Sequence, residues 1–391
     1  MKRAIIIILS VMALTTLIAC AAEPQSTPSP TYETPAEAAE ITAEQVETHA
    51  GPDVATRIIT DVWGREVEIP VNVETIVTLG PGATRIATYL NVTNMIIGAE
   101  TQTANFNVLM DFNPVVHEQF STLPIVGRGG GGGENNAYVE ELVLASPNVV
   151  LAAFTAEAAD ELQAQSNIPV VAVRYISTGL ANETFFAAMR VFGEVVGAEK
   201  RAEEVLSFIE TLRADLHNRT VDVPDDDKLH VYSGAVTFAG QRGFGGTYSN
   251  FGPLAVINAL NVADTALEEG FYEVDFEQIL MWNPDVIFLD PGNMSLVNAE
   301  YETNPVFFRS LYAVQQGRVY TLPAFNFSAT NVTYALMNAY FAGTILFPEQ
   351  FADIDISEKS AEILTFFLGV DTRDAMTEGG LFFGTITLGE Q

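Results

Sequence analysis

The chain has 391 residues, 48% of them hydrophobic, with 50 Asp+Glu against 18 Lys+Arg and a formal net charge of −32. So acidic a surface repels the phosphates of nucleic acid and anionic lipid head groups, which excludes nucleic-acid binding, while the acidity by itself names no function. A single cysteine leaves no disulfides within the chain, so the fold must rest on its core, and there is enough apolar material for two lobes.

Lys2 and Arg3 open the chain, and an apolar run over residues 4–19 follows and stops at Cys20. That is the pattern of an export signal. The run falls short of the roughly 20 apolar residues that span a bilayer, and Ser10, Thr15 and Thr16 interrupt it. Leu17-Ile18-Ala19-Cys20 resembles the lipobox of bacterial lipoproteins. The resemblance implies a signal over residues 1–19, cut before Cys20, whose sulfur then carries lipid and anchors the chain outside the cytoplasm. Losing Lys2 and Arg3 takes the net charge from −32 to −34. Residues 20–56 are rich in Pro, Thr, Ala and Glu, lack Lys and Arg, and are expected to form a disordered tether.

From Arg57 the texture changes. Strand-like runs at 74–79, 95–99, 148–153 and 169–174 alternate with helical spacing at 83–90, 137–145 and 157–166, which predicts a parallel sheet covered on both faces. Between residues 182 and 218 apolar positions step by three and four. Gly193 and Gly197 divide this stretch into a short helix and a longer one over 198–217, about 30 Å of rod. The alternation then resumes, with strands at 229–233, 286–290 and 318–322 and helices at 253–260, 276–282, 329–347 and 357–367. The expected fold class is α/β, two parallel-sheet lobes (residues 57–181 and 220–391) bridged by one long helix within 182–219, with a ligand cleft between them.

An internal echo supports two lobes of similar build. Residues 139–151 and 276–288 share one pattern, an amphipathic helix with a Glu seven residues before a Pro, then a buried strand. Proline ends each helix by biasing the residue before it away from the α region.

Ile59-Thr60-Asp61-Val62-Trp63-Gly64-Arg65 and Ile76-Val77-Thr78-Leu79-Gly80-Pro81-Gly82 resemble the opening of periplasmic binding proteins for iron–siderophore complexes, haem and cobalamin. Residues 313–322, Asn338-Ala339-Tyr340-Phe341-Ala342-Gly343 and Phe347-Pro348-Glu349-Gln350-Phe351 resemble the C-terminal end of iron-compound transport lipoproteins. The resemblance covers residues 57–369 and implies a monomeric binding protein that is not an enzyme. It implies an iron complex, haem or cobalamin as cargo, and partners in an ABC permease and its ATPase. The family docks on its permease through one glutamate per lobe, and these map onto Glu140 and Glu277.

Ligands of open α/β sheets bind beyond the carboxyl ends of the strands. That rule nominates loops at 80–84, 127–135, Phe154 and Tyr175 in the first lobe, and at 240–251, 290–294 and 324–328 in the second. Arg128 and Arg242 are candidate partners for carboxylates or catecholates, with Arg85 and Arg174 beside them. Tyr175, Phe244, Tyr248, Phe325 and Phe327 are candidates to stack on a planar chelate. Residues 127–132 fit G-x-G-x-x-G, but no ribose-binding acid follows at the proper distance, so a cleft-edge loop is expected rather than a dinucleotide cradle. His49, His117, His217 and His230 show no metal-ligand spacing, against a zinc or manganese site. No G-x-S-x-G, H-E-x-x-H or P-loop supports a hydrolase.

Overall fold

The computed structural model describes residues 55–174, 179–266 and 269–389. The signal, Cys20, most of the tether and Tyr175 lie outside the described residues.

The chain opens with an antiparallel hairpin, β1 (Thr56–Thr60) on β2 (Glu66–Pro70). In the first lobe β3 (Ile76–Leu79), β6 (Val149–Ala152) and β7 (Val170–Ala172) form a parallel sheet in that order. A parallel pair, β4 (Ala99–Glu100) on β5 (Ile125–Gly127), adjoins β3 where Ile97 N donates to Ile76 O at 3.1 Å. The second lobe holds β8 (His230–Gly234), β9 (Gly246–Tyr248), β10 (Leu260–Asn261), β11 (Phe271–Glu273), β12 (Val286–Leu289) and β13 (Val319–Thr321). Its parallel sheet runs β10-β8-β12-β13, and β9 pairs with β11 as an antiparallel ribbon.

The repeat seen in the sequence builds an inner strand of each sheet. β6 and β12 are buried at every position, as apolar runs covered on both faces must be. Helices Val139–Ala145 and Phe276–Trp282 precede them and end on Ser146 (φ 52°) and Asn283 (φ 42°), left-handed caps just ahead of buried Pro147 and Pro284. Asn148 and Asp285 then make matching contacts. Asn148 Oδ1 accepts from Thr75 N at 3.0 Å, and Asp285 Oδ2 accepts from His230 N at 2.9 Å, each registering the next strand.

Helix Glu183–Val196 stops at Gly197 (φ 71°), and the link helix Glu199–Thr220 follows, 22 residues or about 33 Å. Ala202, Val205, Leu206, Ile209, Leu212 and Leu216 form its buried stripe. Near its start Arg201 donates to Tyr89 O (3.0 Å) and Phe366 O (2.5 Å). Near its end Arg219 holds Asp353 at 2.6 Å and Asp215 at 3.0 Å. Helix Ile356–Leu368 belongs to the second half of the chain yet packs on the first, Phe367 against Tyr89 at 4.7 Å, while Phe366 stacks on Phe208 of the link at 3.9 Å. The largest apolar cluster therefore runs from Ile59 to Leu381 through both lobes and the link.

Several expected elements come out shorter, two of them for a visible local reason. The helix expected at 253–260 is only Gly252–Ala255, because Asn258 turns the chain at φ 52° and residues 260–261 join the sheet as β10. The strand expected at 95–99 reduces to Ala99–Glu100, the residues before it forming a 3-10 turn at Thr93–Met95.

Candidate ligand-binding cleft

At the carboxyl ends of both sheets lies a cavity of about 910 Å³. The first lobe contributes Trp63, Pro81, Gln102, Gly130 to Gly133, Phe154, Thr155 and Arg174, and the second contributes Thr237, Phe238, Tyr248, Asn326, Phe327 and Thr330. Its wall is aromatic and small-polar. Among the described lining residues Arg174 alone carries a charge at neutral pH.

Each wall has a local cause. Asp61 is almost fully buried and accepts from Trp63 N, Arg65 N, Arg65 Nη1 (2.7 Å) and Ala172 N, tying the β1–β2 turn to the end of β7. This anchor turns Trp63 over the cavity, where its Nε1 donates to Phe154 O at 2.9 Å and the Arg174 guanidinium stands 6.0 Å from its ring. The glycine loop follows β5. Gly129, Gly130, Gly131 and Gly133 all have positive φ, and a Cβ on Gly129 would come within 2.5 Å of the Gln102 side chain. The loop is held by Asn136 Nδ2 to Gly130 O (2.9 Å) and Thr155 N to Gly133 O (2.9 Å).

In the second lobe Phe238 stacks on Phe271 at 4.7 Å, and Tyr248 meets Phe238 and Phe325 edge-on. Burial pushes the Tyr248 hydroxyl up to about 12, against the opposing Asn326 hydrogen bond, so it stays protonated. Two buried carboxyls stand just behind the walls. Desolvation raises Glu100 to about 7 although Gly80 N donates to it at 2.8 Å. Desolvation likewise raises Asp290 to about 6, against hydrogen bonds from Thr237 and Gly292.

The cavity floor ties the lobes together. Arg85, on helix Ala83–Tyr89, donates to Asp111 Oδ1 (2.7 Å), Ser328 O (2.8 Å), Phe327 O (3.1 Å) and Asn331 Oδ1 (2.5 Å). Asp111 also accepts from Tyr89 OH and from Thr333 at 2.8 Å. Phe327, which lines the cavity, and Ser328, in a left-handed conformation, are thus fixed by a first-lobe arginine.

The sequence candidates fall in several places. Tyr248, Phe327 and Arg174 line the cavity, as do Pro81, Gly130 to Gly133, Phe154 and Asn326 from the nominated loops. Arg128 is exposed at the base of the glycine loop and is not part of the lining. Arg242 packs over Phe271 at 4.9 Å, donates to Phe238 O at 2.8 Å and reaches Glu273 at 3.5 Å, so it shapes the loop that presents Phe238. Phe244 is fully buried against Phe308 (4.9 Å) and Tyr232 (5.6 Å), in the second-lobe core rather than the cleft. Phe325 sits behind Tyr248, packed on Phe251 at 4.8 Å. Arg85 is consumed by the buried network. Glu140 and Glu277 are exposed in the first turns of their helices.

Trp63, Gln102 and Thr237 escaped the sequence reading. Trp63 lies in a hairpin turn at no parallel strand end, and nothing local signals its role. Phe238 does carry a signal, an aromatic just past β8 and two residues ahead of the nominated loop at 240–251. No group of three or more His, Cys, Asp or Glu side chains among the described residues is placed to hold a metal ion. A second cavity, about 630 Å³, lies against the link helix beside Arg213 and His217, away from the strand ends.

A sequence profile described as "Periplasmic binding protein" matches residues 76–324. The molybdate-binding protein MolA of Haemophilus influenzae is 25% identical over 332 residues, covering 78% of this chain and 89% of that one. YvrC of Bacillus subtilis, an uncharacterized ABC transporter substrate-binding lipoprotein, is 23% identical over 275 residues, covering 67% of this chain and 76% of its own. Among solved structures, a periplasmic solute binding protein from Veillonella parvula superposes with a TM-score of 0.64 at 18% identity, covering 84% of this chain and 97% of that one. The likeness to that structure is one of fold.

Proposed function

Because the chain belongs to the periplasmic binding protein family and so is a substrate-binding component of an ABC transporter, we propose that its cleft captures a bulky metal chelate, an iron complex foremost, for import. The observation that carries this reading is the cavity itself, about 910 Å³, walled by Trp63, Phe154, Phe238, Tyr248 and Phe327 with Arg174 at its edge. Large ligands call for an apolar cleft with a few placed polar groups. A flat aromatic or macrocyclic surface gains by stacking on such rings, and Arg174 suits a carboxylate or catecholate at the rim. A ferric siderophore fits this chemistry, with haem and cobalamin the alternatives for the same walls. A bare cation would need converging His or carboxylate ligands.

A small oxyanion, the ligand named for the Haemophilus relative, is the competing reading. It would leave most of this cavity empty and most of its aromatic wall without a partner. Delivery in our reading runs through Glu140 and Glu277, one exposed acid per lobe, on the permease, and the chain acts as a monomer held to the membrane through lipid on Cys20. It is a carrier and not a catalyst.

The test is to purify the chain from its host, record its absorption spectrum and analyse metal and organic cofactor released by denaturation. A charge-transfer or Soret-type band with stoichiometric metal supports the chelate reading. Stoichiometric molybdenum without any organic component contradicts it.

A further inference from the structure

We propose that Leu144 and Met281 are twin apolar knobs that seat in the permease, one in each of two equivalent receptor sites. This rests on the docking role given above to Glu140 and Glu277 and names the second half of that surface.

The internal repeat extends beyond the fold to the surface. At the buried positions Leu142 and Ile279 are both fully covered, as two copies of one packing unit require. At the outer positions the match persists without any packing reason. Leu144 is 84% exposed and Met281 78%, while Val143 and Leu280 are 46% and 44% exposed. The helix-Pro-strand fold needs no apolar residue there, and a charged side chain would be better solvated. Single exposed apolar residues are ordinary, and Val306 at 78% is one. What sets these apart is their recurrence at the same repeat position in both lobes.

Each knob also lies four residues after its acid, Glu140 before Leu144 and Glu277 before Met281, so acid and knob share a helix face one turn apart. The matching receptor presents a cation beside an apolar pocket, and presents that pair twice. A membrane permease with two equivalent subunits has this symmetry. A second copy of this chain does not fit, because acid would face acid on a molecule of net charge −32. Buried apolar anchors ringed by polar contacts are the usual energetic centre of an interface, so the knobs would carry affinity and the acids orientation.

The experiment measures binding of the ligand-free mature chain, with Cys20→Ala to remove the lipid, to its permease–ATPase complex in nanodiscs. Leu144→Ser with Met281→Ser should weaken binding at least tenfold and leave the unfolding temperature unchanged, while a separate Val306→Ser control should bind like the wild type. Binding within twofold of wild type overturns the knobs. If Glu140→Arg with Glu277→Arg still weakens binding in that case, the docking acids stand and only this inference falls; if charge reversal is also silent, the docking reading itself fails. Equal binding to empty nanodiscs would assign the knobs to lipid and overturn the proposal as well.

Discussion

Arg85 and Asp111 meet inside the protein, Nε to Oδ1 at 2.7 Å, with neither side chain exposed. Three further bonds from the arginine reach second-lobe groups at 327, 328 and 331, so the ion-paired guanidinium joins the lobes beneath the cleft. Removing one partner of such a pair leaves an uncompensated buried charge and costs about 3–5 kcal/mol. Arg85→Met and Asp111→Leu should each lower the unfolding temperature by at least about 6 °C in a thermal melt. A fall under about 2 °C would mean the network is not structural.

The two carboxyls behind the walls make stability depend on pH. Glu100 at about 7 and Asp290 at about 6 both sit above their ordinary values of 4.5 and 3.8. Between the ordinary and the raised value the unfolded chain releases the proton and the native chain keeps it. Stability therefore falls as pH rises through that window, by up to about 1.4 kcal/mol per pH unit per group, and levels off above it. Denaturant midpoints should drop from pH 4.5 to 7, and Glu100→Gln, which keeps an acceptor for Gly80 N, should flatten the upper part of the slope. An unchanged slope in Glu100→Gln would show that Glu100 is ionised when folded.

Much of this architecture was legible in the sequence. The unit at 139–151 and its echo at 276–288 announced themselves through helical spacing, a proline stop and an apolar strand, all of them local signals. The link helix was legible for the same reason, through its stripe from Ala202 to Leu216. The strand-end rule found loops on both cleft walls without naming the right side chain in each. Phe244 and Phe325 show why. Either face of a loop can carry an aromatic, and only the Phe276, Phe307 and Phe308 cluster decides that Phe244 turns inward. The Arg85–Asn331 contact spans 246 residues, and no periodicity encodes it. Trp63 reaches the cleft only because Asp61 docks the hairpin on β7.

Arg174 gives a handle on ligand charge. It is exposed at the rim and stands over Trp63, so its field acts on cargo and little on folding. Arg174→Met should weaken binding of a catecholate or carboxylate ferric chelate about tenfold and leave a neutral hydroxamate chelate within about twofold. Equal losses for both, by calorimetric titration, would make it a packing residue.

The docking role proposed for Glu140 and Glu277 allows capture and delivery to be tested separately. Both lie on exposed helix faces outside the cavity lining. Glu140→Arg with Glu277→Arg should abolish uptake of the bound chelate by cells while leaving its dissociation constant unchanged. Undiminished uptake would remove the docking role from these acids.

Trp63 offers the most direct measurement of the central claim, because it lines the cavity while Trp282 sits on the outer helix of the second lobe. In a Trp282→Phe background, titration with a ferric siderophore, haem or cobalamin should give saturable quenching of Trp63 by at least one of them, and molybdate should give none. Quenching by molybdate alone, or by none of these ligands, would contradict a cleft built for a bulky metal chelate.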